Sequence, residues 1–209
     1  MTVREIVTVG HPVLRERARE VAADELATSE VQQLIDDLVD TMRAANGAGI
    51  AANQIGVPLR ITTIEVNDNP RYPYKPRIPL TIVVNPIIEP LDDELVEINE
   101  GCLSVPGLSF DCRRRQHVVA HGQNMHGDPI TVEGTALLAR CVQHETDHLD
   151  GVLFVDRLDP ATRKEAMRAI RAADWGPQAG IAGIAGAARP GGGGPAVKLS
   201  PHPTLGGRF

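Results

Sequence analysis

The sequence feature that most constrains the fold is the segment 143–148, which reads Gln-His-Glu-Thr-Asp-His and contains the pattern His-Glu-x-x-His. Side chains four residues apart lie on one face of a helix, so His144 and His148 can bind one metal ion together. Glu145 follows the first histidine, where a carboxylate can act as a base toward a water molecule at the metal. The residues before the motif contain no helix breaker, so the pattern predicts a helix over about 134–149.

The alternative interpretation of this motif is two histidines on an exposed helix face with no metal. A catalytic zinc-like site needs a third protein ligand and an open fourth position. Cys102 lies in an apolar loop that suits a thiolate beside a metal, or else it is a buried structural cysteine, and spacing favours it only modestly. Cys112 lies in a charged segment, and Cys141, about one helical turn before the first motif histidine, is predicted to form pocket wall. Three scattered histidines stay open as alternatives: His117, His121 and His126.

Composition and charge exclude several other classes of protein. The chain has 209 residues, of which 42% are hydrophobic, which is enough for one domain with a sizeable core. Its net charge of -6 argues against non-specific binding to nucleic acid or to an anionic membrane, and no direct nucleic-acid site is evident. No apolar stretch approaches the roughly 18 residues of a membrane span, and the N-terminal residues lack the apolar region of a signal peptide. With three cysteines, an odd number, we expect a reduced, cytoplasmic setting.

Periodicity predicts two further helices. Apolar residues recur at helical spacing between Val31 and Met42, with Ser29 as the N-cap and Gln32 as its capping-box partner. The aspartates of this helix are predicted to face solvent: Asp36, Asp37 and Asp40. A last helix is capped by Asp159, has Pro160 in its first turn and runs to about Trp175.

Between these helices the sequence predicts short strands and polar loops. Alternation and β-branched residues favour strands at 59–66, 81–84, 95–98, 117–120 and 130–132. The polar, proline-rich segment 67–79 is predicted to be a loop, and 126–128 a turn. After residue 175 the composition changes, because 15 of the last 34 residues are glycine or proline. We therefore predict a single catalytic domain over 1–175 and a flexible tail over 176–209.

A glycine-rich segment, 47–54, reads Gly-Ala-Gly-Ile-Ala-Ala-Asn-Gln and lets the backbone approach another group closely. It lacks the third glycine of a dinucleotide fingerprint and follows a helix rather than a strand. Together with Glu-Gly-Cys-Leu-Ser at 100–104 and the motif at 143–148, it closely resembles the three motifs of the peptide deformylases. The resemblance covers about residues 3–175 and is highly specific when the three motifs are taken together. Ile50 departs from the usual leucine, which is a small change of shape.

The resemblance implies the fold, the activity and the site residues. The implied fold is α+β, with antiparallel sheets packed around the central His-Glu-x-x-His helix and with an N-terminal and a C-terminal helix. The implied activity is removal of the formyl group from the N-terminal formyl-methionine of newly synthesised proteins. The substrate partner is then the N-formylmethionyl nascent peptide, met in transient association with the ribosome. The implied metal is one divalent ion, Fe²⁺ in the cell, for which zinc, nickel or cobalt can substitute.

The resemblance also assigns roles to individual residues. Its metal ligands are Cys102, His144 and His148, and its acid/base is Glu145. The oxyanion partners are Gln54 and the backbone N–H of Leu103. Gly49 with neighbouring backbone, including Ala48, holds the peptide, and Leu137 and Cys141 on the metal-facing side of the helix are expected to line the methionine pocket.

Two other functions remain as alternatives at the level of sequence. One is another His-Glu-x-x-His metallohydrolase, such as a peptidase, which would need an extended substrate cleft. The other is a non-catalytic metal-binding or ribosome-associated module, which predicts four protein ligands and no open position for water.

Overall fold

The computed structural model of the chain describes residues 2–67, 77–173 and 175. These residues contain four α-helices: α1 (Ala23–Leu26), α2 (Ser29–Ala44), α3 (Ala136–Leu149) and α4 (Pro160–Ala172). They contain seven strands: β1 (Gly49–Ala51), β2 (Ile61–Val66), β3 (Ile78–Pro90), β4 (Leu95–Cys102), β5 (Val105–Arg115), β6 (His117–Gln123) and β7 (Pro129–Thr135). Short 3-10 turns are formed by Pro12–Arg15, Ala52–Ile55 and Phe154–Asp156.

The strands form two antiparallel sheets, and helix α3 packs against both of them. Five strands pair in the order β1-β2-β3-β6-β7, and β4 and β5 form a separate hairpin. Helix α3 packs against strands of both sheets, while α2 packs on β1 and β2 and α4 packs on β5. The predicted α+β fold with antiparallel sheets around the motif helix is therefore confirmed.

The last six residues of α3, 144–149, are all buried. They include both motif histidines and the glutamate between them, so polar side chains lie where an apolar helix would ordinarily pack. Buried polar groups need partners inside the protein. Gly151, with a φ of 74°, ends the helix in the left-handed conformation that favours glycine.

The strands run longer than the sequence indicated. β3 continues from the predicted 81–84 segment through Pro86, because the pairing register shifts between Val84 and Ile87 and a bulge tolerates the missing proline N–H. β5 was not predicted at all, since its many charged residues conceal its alternation. Its pairing with β4 puts Cys102 at the end of a strand beside a tight turn, so the prediction of a loop there was wrong, whereas the predicted apolar setting is confirmed.

The ends of the helices differ slightly from prediction. The N-cap of α2 is Thr28, whose hydroxyl accepts a hydrogen bond from the Val31 N–H, rather than Ser29. Gln32 donates to the carbonyls of Leu26 and Met125 instead of closing a capping box. Asp159 caps α4 as predicted, but the helix ends at Ala172. The segments 68–76 and 176–209 lie outside the described residues, so the central part of the predicted loop and the tail stay predictions.

No helix among the described residues is long and apolar enough to cross a membrane. All three cysteines are free thiols rather than members of a disulfide.

One aspartate of α2 is buried, although the sequence predicted that it faces solvent. Asp36 is exposed, but Asp37 is 1% exposed, so its predicted solvent position was wrong. Its carboxylate accepts hydrogen bonds from Arg4 Nε at 2.7 Å and Gln33 Nε2 at 2.8 Å. Burial alone would raise the pKa of Asp37, but these two donors outweigh it and lower the pKa. The ion pair with Arg4, which is distant in sequence, thus allows the Asp37 carboxylate to be buried.

We expect Asp37→Asn to destabilise the protein by about 1–2 kcal/mol, because the amide cannot replace the charged acceptor facing Arg4. Asp36→Asn, on the exposed neighbour, is the control and should change stability by less than about 0.5 kcal/mol. Because folding lowers the Asp37 pKa, its stabilisation is present above about pH 4 and is lost as pH falls further. Urea unfolding at pH 7 and pH 3.5 measures both effects. Equal stabilities of the two variants at pH 7 would contradict this account.

Candidate active site

The three predicted metal ligands lie together at the base of a cleft. Cys102 Sγ is 3.2 Å from His148 Nε2, which is 3.2 Å from His144 Nε2. Ligand atoms bound tetrahedrally at the usual metal–nitrogen and metal–sulfur distances are about 3.3–3.6 Å apart. One thiolate and two imidazoles in this arrangement form a set that fits a divalent transition metal with an open fourth position.

Two elements bring these ligands together. Helix α3 supplies both histidines from one face, and the turn after β4 supplies the cysteine. The N–H of Ser104 donates to Cys102 Sγ at 3.3 Å, which fixes the sulfur in the turn. Asn53 Nδ2 donates to the backbone carbonyl of His148, so the 3-10 turn after β1 anchors the end of α3.

A buried chain of charges orients the first histidine. His144 Nδ1 is 2.6 Å from Glu100 Oε1, which leaves Nε2 facing the other ligands. Arg114 donates to both oxygens of Glu100 and also to Asp147 Oδ2 at 2.5 Å. Arg157 binds the same aspartate from the surface side. A carboxylate on the far nitrogen of a metal-binding histidine fixes its tautomer and raises its basicity.

Burial and neighbouring charges shift the pKa values of the two carboxyl groups of the site in opposite directions. Burial would raise the pKa of Glu100, but the neighbouring His144 and Arg114 outweigh it and hold the pKa well below its usual range. Burial raises the pKa of Glu145 to about 7. Its Oε2 atom is buried and has no hydrogen-bond partner within the described part of the chain. The pair thus consists of a fixed anion and a carboxyl whose pKa lies near neutrality, where it can both accept and donate a proton.

Gln54 presents its amide nitrogen toward the ligand cluster. Its Oε1 accepts a hydrogen bond from the Ala51 N–H at 2.9 Å, so the opposite end of the amide must be the donor. Nε2 lies 3.1 Å from Ser104 Oγ and 3.7 Å from Cys102 Sγ. Leu103 occupies the turn between these two residues, beside the same cluster.

A cleft of about 380 Å³ opens onto the cluster. All four residues predicted to bind substrate line it: Ala48, Gly49, Leu137 and Cys141. Burial raises the pKa of Cys141 to about 12, so it is a thiol in the wall. At Gly49 an added Cβ would lie 2.6 Å from Glu145 Oε1, which means that only glycine leaves room for the glutamate.

The histidines that were alternatives for the third ligand lie elsewhere. His117 sits beside Asp92 and Glu94 in a separate group of ligand-type side chains. His121 contacts Thr131, and His126 lies in the turn between β6 and β7. The described structure therefore brings only Cys102 to the histidine pair.

The supporting charges were missed from sequence. Glu100 is the first residue of the Glu-Gly-Cys-Leu-Ser motif, whose local sequence indicates no role for it, and Asp147 is one of the two unspecified residues within His-Glu-x-x-His. Arg114 lies in a basic run, 113–115, which is typical of a solvated surface segment, yet Arg114 is only 6% exposed and forms an ion pair with Glu100. Only once β5 is known to be a strand does its period-two alternation place the Arg114 side chain on the inward face.

A family model described as polypeptide deformylase matches residues 3–164. The chain belongs to this family. Peptide deformylases are metal-dependent hydrolases that remove the N-formyl group from nascent peptides, and this chain is one of these enzymes. Membership disfavours both alternatives, the peptidase and the non-catalytic module.

Relatives and solved structures agree with this membership. A peptide deformylase from Parafrankia sp. is 48% identical over 208 residues, covering 99% of this chain and 98% of the relative. One from Acidothermus cellulolyticus is 46% identical over 206 residues, with the same coverage. The crystal structure of a Met-Ala-Ser-bound class I type b peptide deformylase from Acinetobacter baumannii is 36% identical, with a TM-score of 0.72. That match covers 75% of this chain and 99% of the Acinetobacter chain.

We expect Glu100→Gln to weaken metal binding by about 10- to 100-fold, because the amide loses the charge that orients His144. Glu97→Gln is the matched control, since Glu97 is exposed on the same strand and pairs only loosely with Arg113 at 3.7 Å. Competition titration with a chromophoric chelator measures both affinities. Equal affinities in the two variants would show that the carboxylate does not support the histidine.

Proposed function

We propose that this chain hydrolyses the N-formyl group through a specific division of roles. Cys102, His144 and His148 would hold one divalent metal ion, which lowers the pKa of a bound water so that a nucleophile is available near neutral pH. The observation that carries the proposal is Glu145 Oε2, a buried carboxylate oxygen that has no hydrogen-bond partner in the described part of the chain and lies in the cleft beside this ligand set. A structural carboxylate would be paired, whereas a base needs a free oxygen.

Glu145 moves the protons. It accepts a proton from the attacking water and returns it to the amine that leaves when the formyl C–N bond breaks. A group with a pKa of about 7 suits both transfers at neutral pH. Gly49 supports this role, because its missing side chain leaves the volume that the carboxyl occupies.

Gln54 and Leu103 stabilise the oxygen of the formyl group. Charge develops on that oxygen as the carbonyl carbon becomes tetrahedral, and fixed N–H donors lower the energy of this state. Gln54 is suited to the task, since Ala51 holds its Oε1 and thereby aims Nε2 toward the cluster. The Leu103 N–H is the second donor, from the tight turn that carries Cys102.

The peptide is held as an extra strand beside β1. This strand lies at the edge of the five-stranded sheet, and its entrance residues, Ala48 and Gly49, line the cleft. Main-chain hydrogen bonds to a sheet edge bind a peptide with little regard for its sequence. Leu137 and Cys141 then form the apolar wall for the methionine side chain. The Met-Ala-Ser bound in the Acinetobacter baumannii structure supports a methionine-first peptide as the ligand.

The test compares formate release by the wild-type protein and Glu145→Gln. With metal-loaded wild-type protein, formyl-Met-Ala-Ser should release formate, and acetyl-Met-Ala-Ser should not release acetate, because a methyl group crowds the pocket. Glu145→Gln should bind metal normally and turn over about 10²- to 10⁴-fold more slowly, since one group serves both proton transfers. Near-normal turnover in the variant would remove Glu145 from the mechanism.

We further propose ferrous iron as the metal in the cell, with nickel, cobalt or zinc able to substitute. A Cys-His₂ set accepts several divalent ions, and affinity order alone does not choose among them. The setting is proposed to be the cytoplasm, where nascent chains emerge in transient contact with the ribosome. The free state of all three cysteines suits a reducing compartment.

This metal proposal predicts where oxidation occurs. In air, the iron-loaded protein should lose activity faster than the nickel-loaded protein, with the lesion at Cys102, because ferrous iron beside a thiolate reacts with oxygen. Burial raises the pKa of Cys112 to about 11 and that of Cys141 to about 12, which keeps both as less reactive thiols. Peptide mass spectrometry locates the lesion. Oxidation at Cys112 or Cys141, with Cys102 intact, would count against Cys102 as the thiolate ligand.

A further inference from the structure

One arginine in the wall of the cleft, Arg140, has no hydrogen-bond or ion-pair partner among the described residues. Four of the described arginines are buried or half-buried, and three of them form ion pairs: Arg60 with Asp150, Arg114 with Glu100 and Asp147, and Arg115 with Asp93. Arg140 is the fourth, and it makes no hydrogen bond or ion pair with any residue of the described chain. Its Nη1 atom is also buried. A buried charged donor without an acceptor costs about 1–3 kcal/mol or more, so its presence calls for a ligand.

The position of Arg140 relates it to the substrate. It lies one helical turn before His144 on α3, adjacent to Cys141 and three residues after Leu137, and it lines the same cleft. It therefore flanks the wall assigned to the methionine side chain. The two carboxylates that line the cleft do not pair with it: Glu100 is bound by Arg114 and His144, and neither Glu145 Oε2 nor Arg140 Nη1 has a hydrogen-bond partner among the described residues.

The geometry of an extended peptide selects which residue reaches this arginine. Successive side chains of a strand point to opposite faces, and two residues advance the chain by about 6.6 Å. If the methionine side chain faces α3, the second side chain faces away and the third faces α3 again. An arginine side chain that begins one turn from the metal can span that advance.

We propose that Arg140 binds the carboxylate of an aspartate or glutamate at the third position of the formyl-peptide and so makes this enzyme favour acidic nascent N-termini. This inference rests on the proposed function and names a preference within it. The paired donors of a guanidinium match a carboxylate, whereas a lysine at the same position would meet repulsion.

The test is a ratio of kcat/KM values among peptides that differ only at the third residue. We use formyl-Met-Ala-Asp-amide, formyl-Met-Ala-Asn-amide and formyl-Met-Ala-Lys-amide, whose amidated ends remove the terminal carboxylate. Wild-type protein should favour Asp over Asn by about 5-fold, with Lys the poorest, as expected for a partly solvated charge-assisted pair. The difference should appear in KM rather than kcat and should shrink as salt is added.

The variant Arg140→Met keeps the length and apolar stem of the side chain and should bring the Asp-to-Asn ratio close to one. Arg168→Met, an exposed arginine on α4, is the matched control and should keep the wild-type ratio. A merely structural role for Arg140 would lower activity on all three peptides equally and leave the ratio unchanged, which would overturn the proposal.

Two other results are decisive. If Arg140→Met lowers kcat/KM for formyl-Met-Asp-Ala-amide but not for formyl-Met-Ala-Asp-amide, the arginine binds the second residue and the assigned position is wrong. If the wild-type protein releases no formate from any of these peptides, the proposed function itself fails and this inference falls with it. Formate release with equal ratios in all proteins overturns the inference about Arg140 alone.

Discussion

The structure depends on the buried ion pair between Arg114 and Glu100. It joins strand β5 to strand β4 and, through Asp147 and His144, joins both strands to helix α3. Gln143 makes a second connection between this helix and the hairpin, since its side chain exchanges hydrogen bonds with the backbone of Arg115 at half-buried positions. A buried charge pair is costly unless every charge is satisfied. Here Arg114 serves two carboxylates, and Arg157 completes the second one from the surface.

This arrangement explains how one short helix segment can be almost wholly polar and still buried. Each charged group of the segment faces a different partner, on the hairpin, at the surface or in the cleft. His144 faces Glu100, Asp147 faces two arginines, and Glu145 faces the cleft. On the cleft side, Glu145 Oε2 has no hydrogen-bond partner among the described residues. The paired charges of the helix hold the fold together, and the unpaired carboxyl oxygen stays available at the cleft.

Much of this was predictable from the sequence, because the strongest signals were local. The helix from 136 to 149 follows from the spacing of two histidines and from the absence of breakers, and the caps at Asp159 and Gly151 follow from residue type. The local pattern did not choose among the candidates for a third metal ligand. Cys102 reaches the histidines only through the β4–β5 hairpin, and β5 was concealed by its charged residues. The burial of Asp37 also depends on a contact that is distant in sequence, because its partner Arg4 lies 33 residues away. Local pattern therefore placed Asp37 wrongly at the surface.

The contact between Gly49 and Glu145 limits how this enzyme can vary. Every single substitution at Gly49 adds a side chain into the volume that the glutamate carboxyl already fills. A shorter residue at 145 would relieve the clash but would withdraw the carboxyl from the cleft, so neither position can change first. Among relatives, Gly49 and Glu145 should therefore persist as an inseparable pair, since a change at either one alone loses the fit between them.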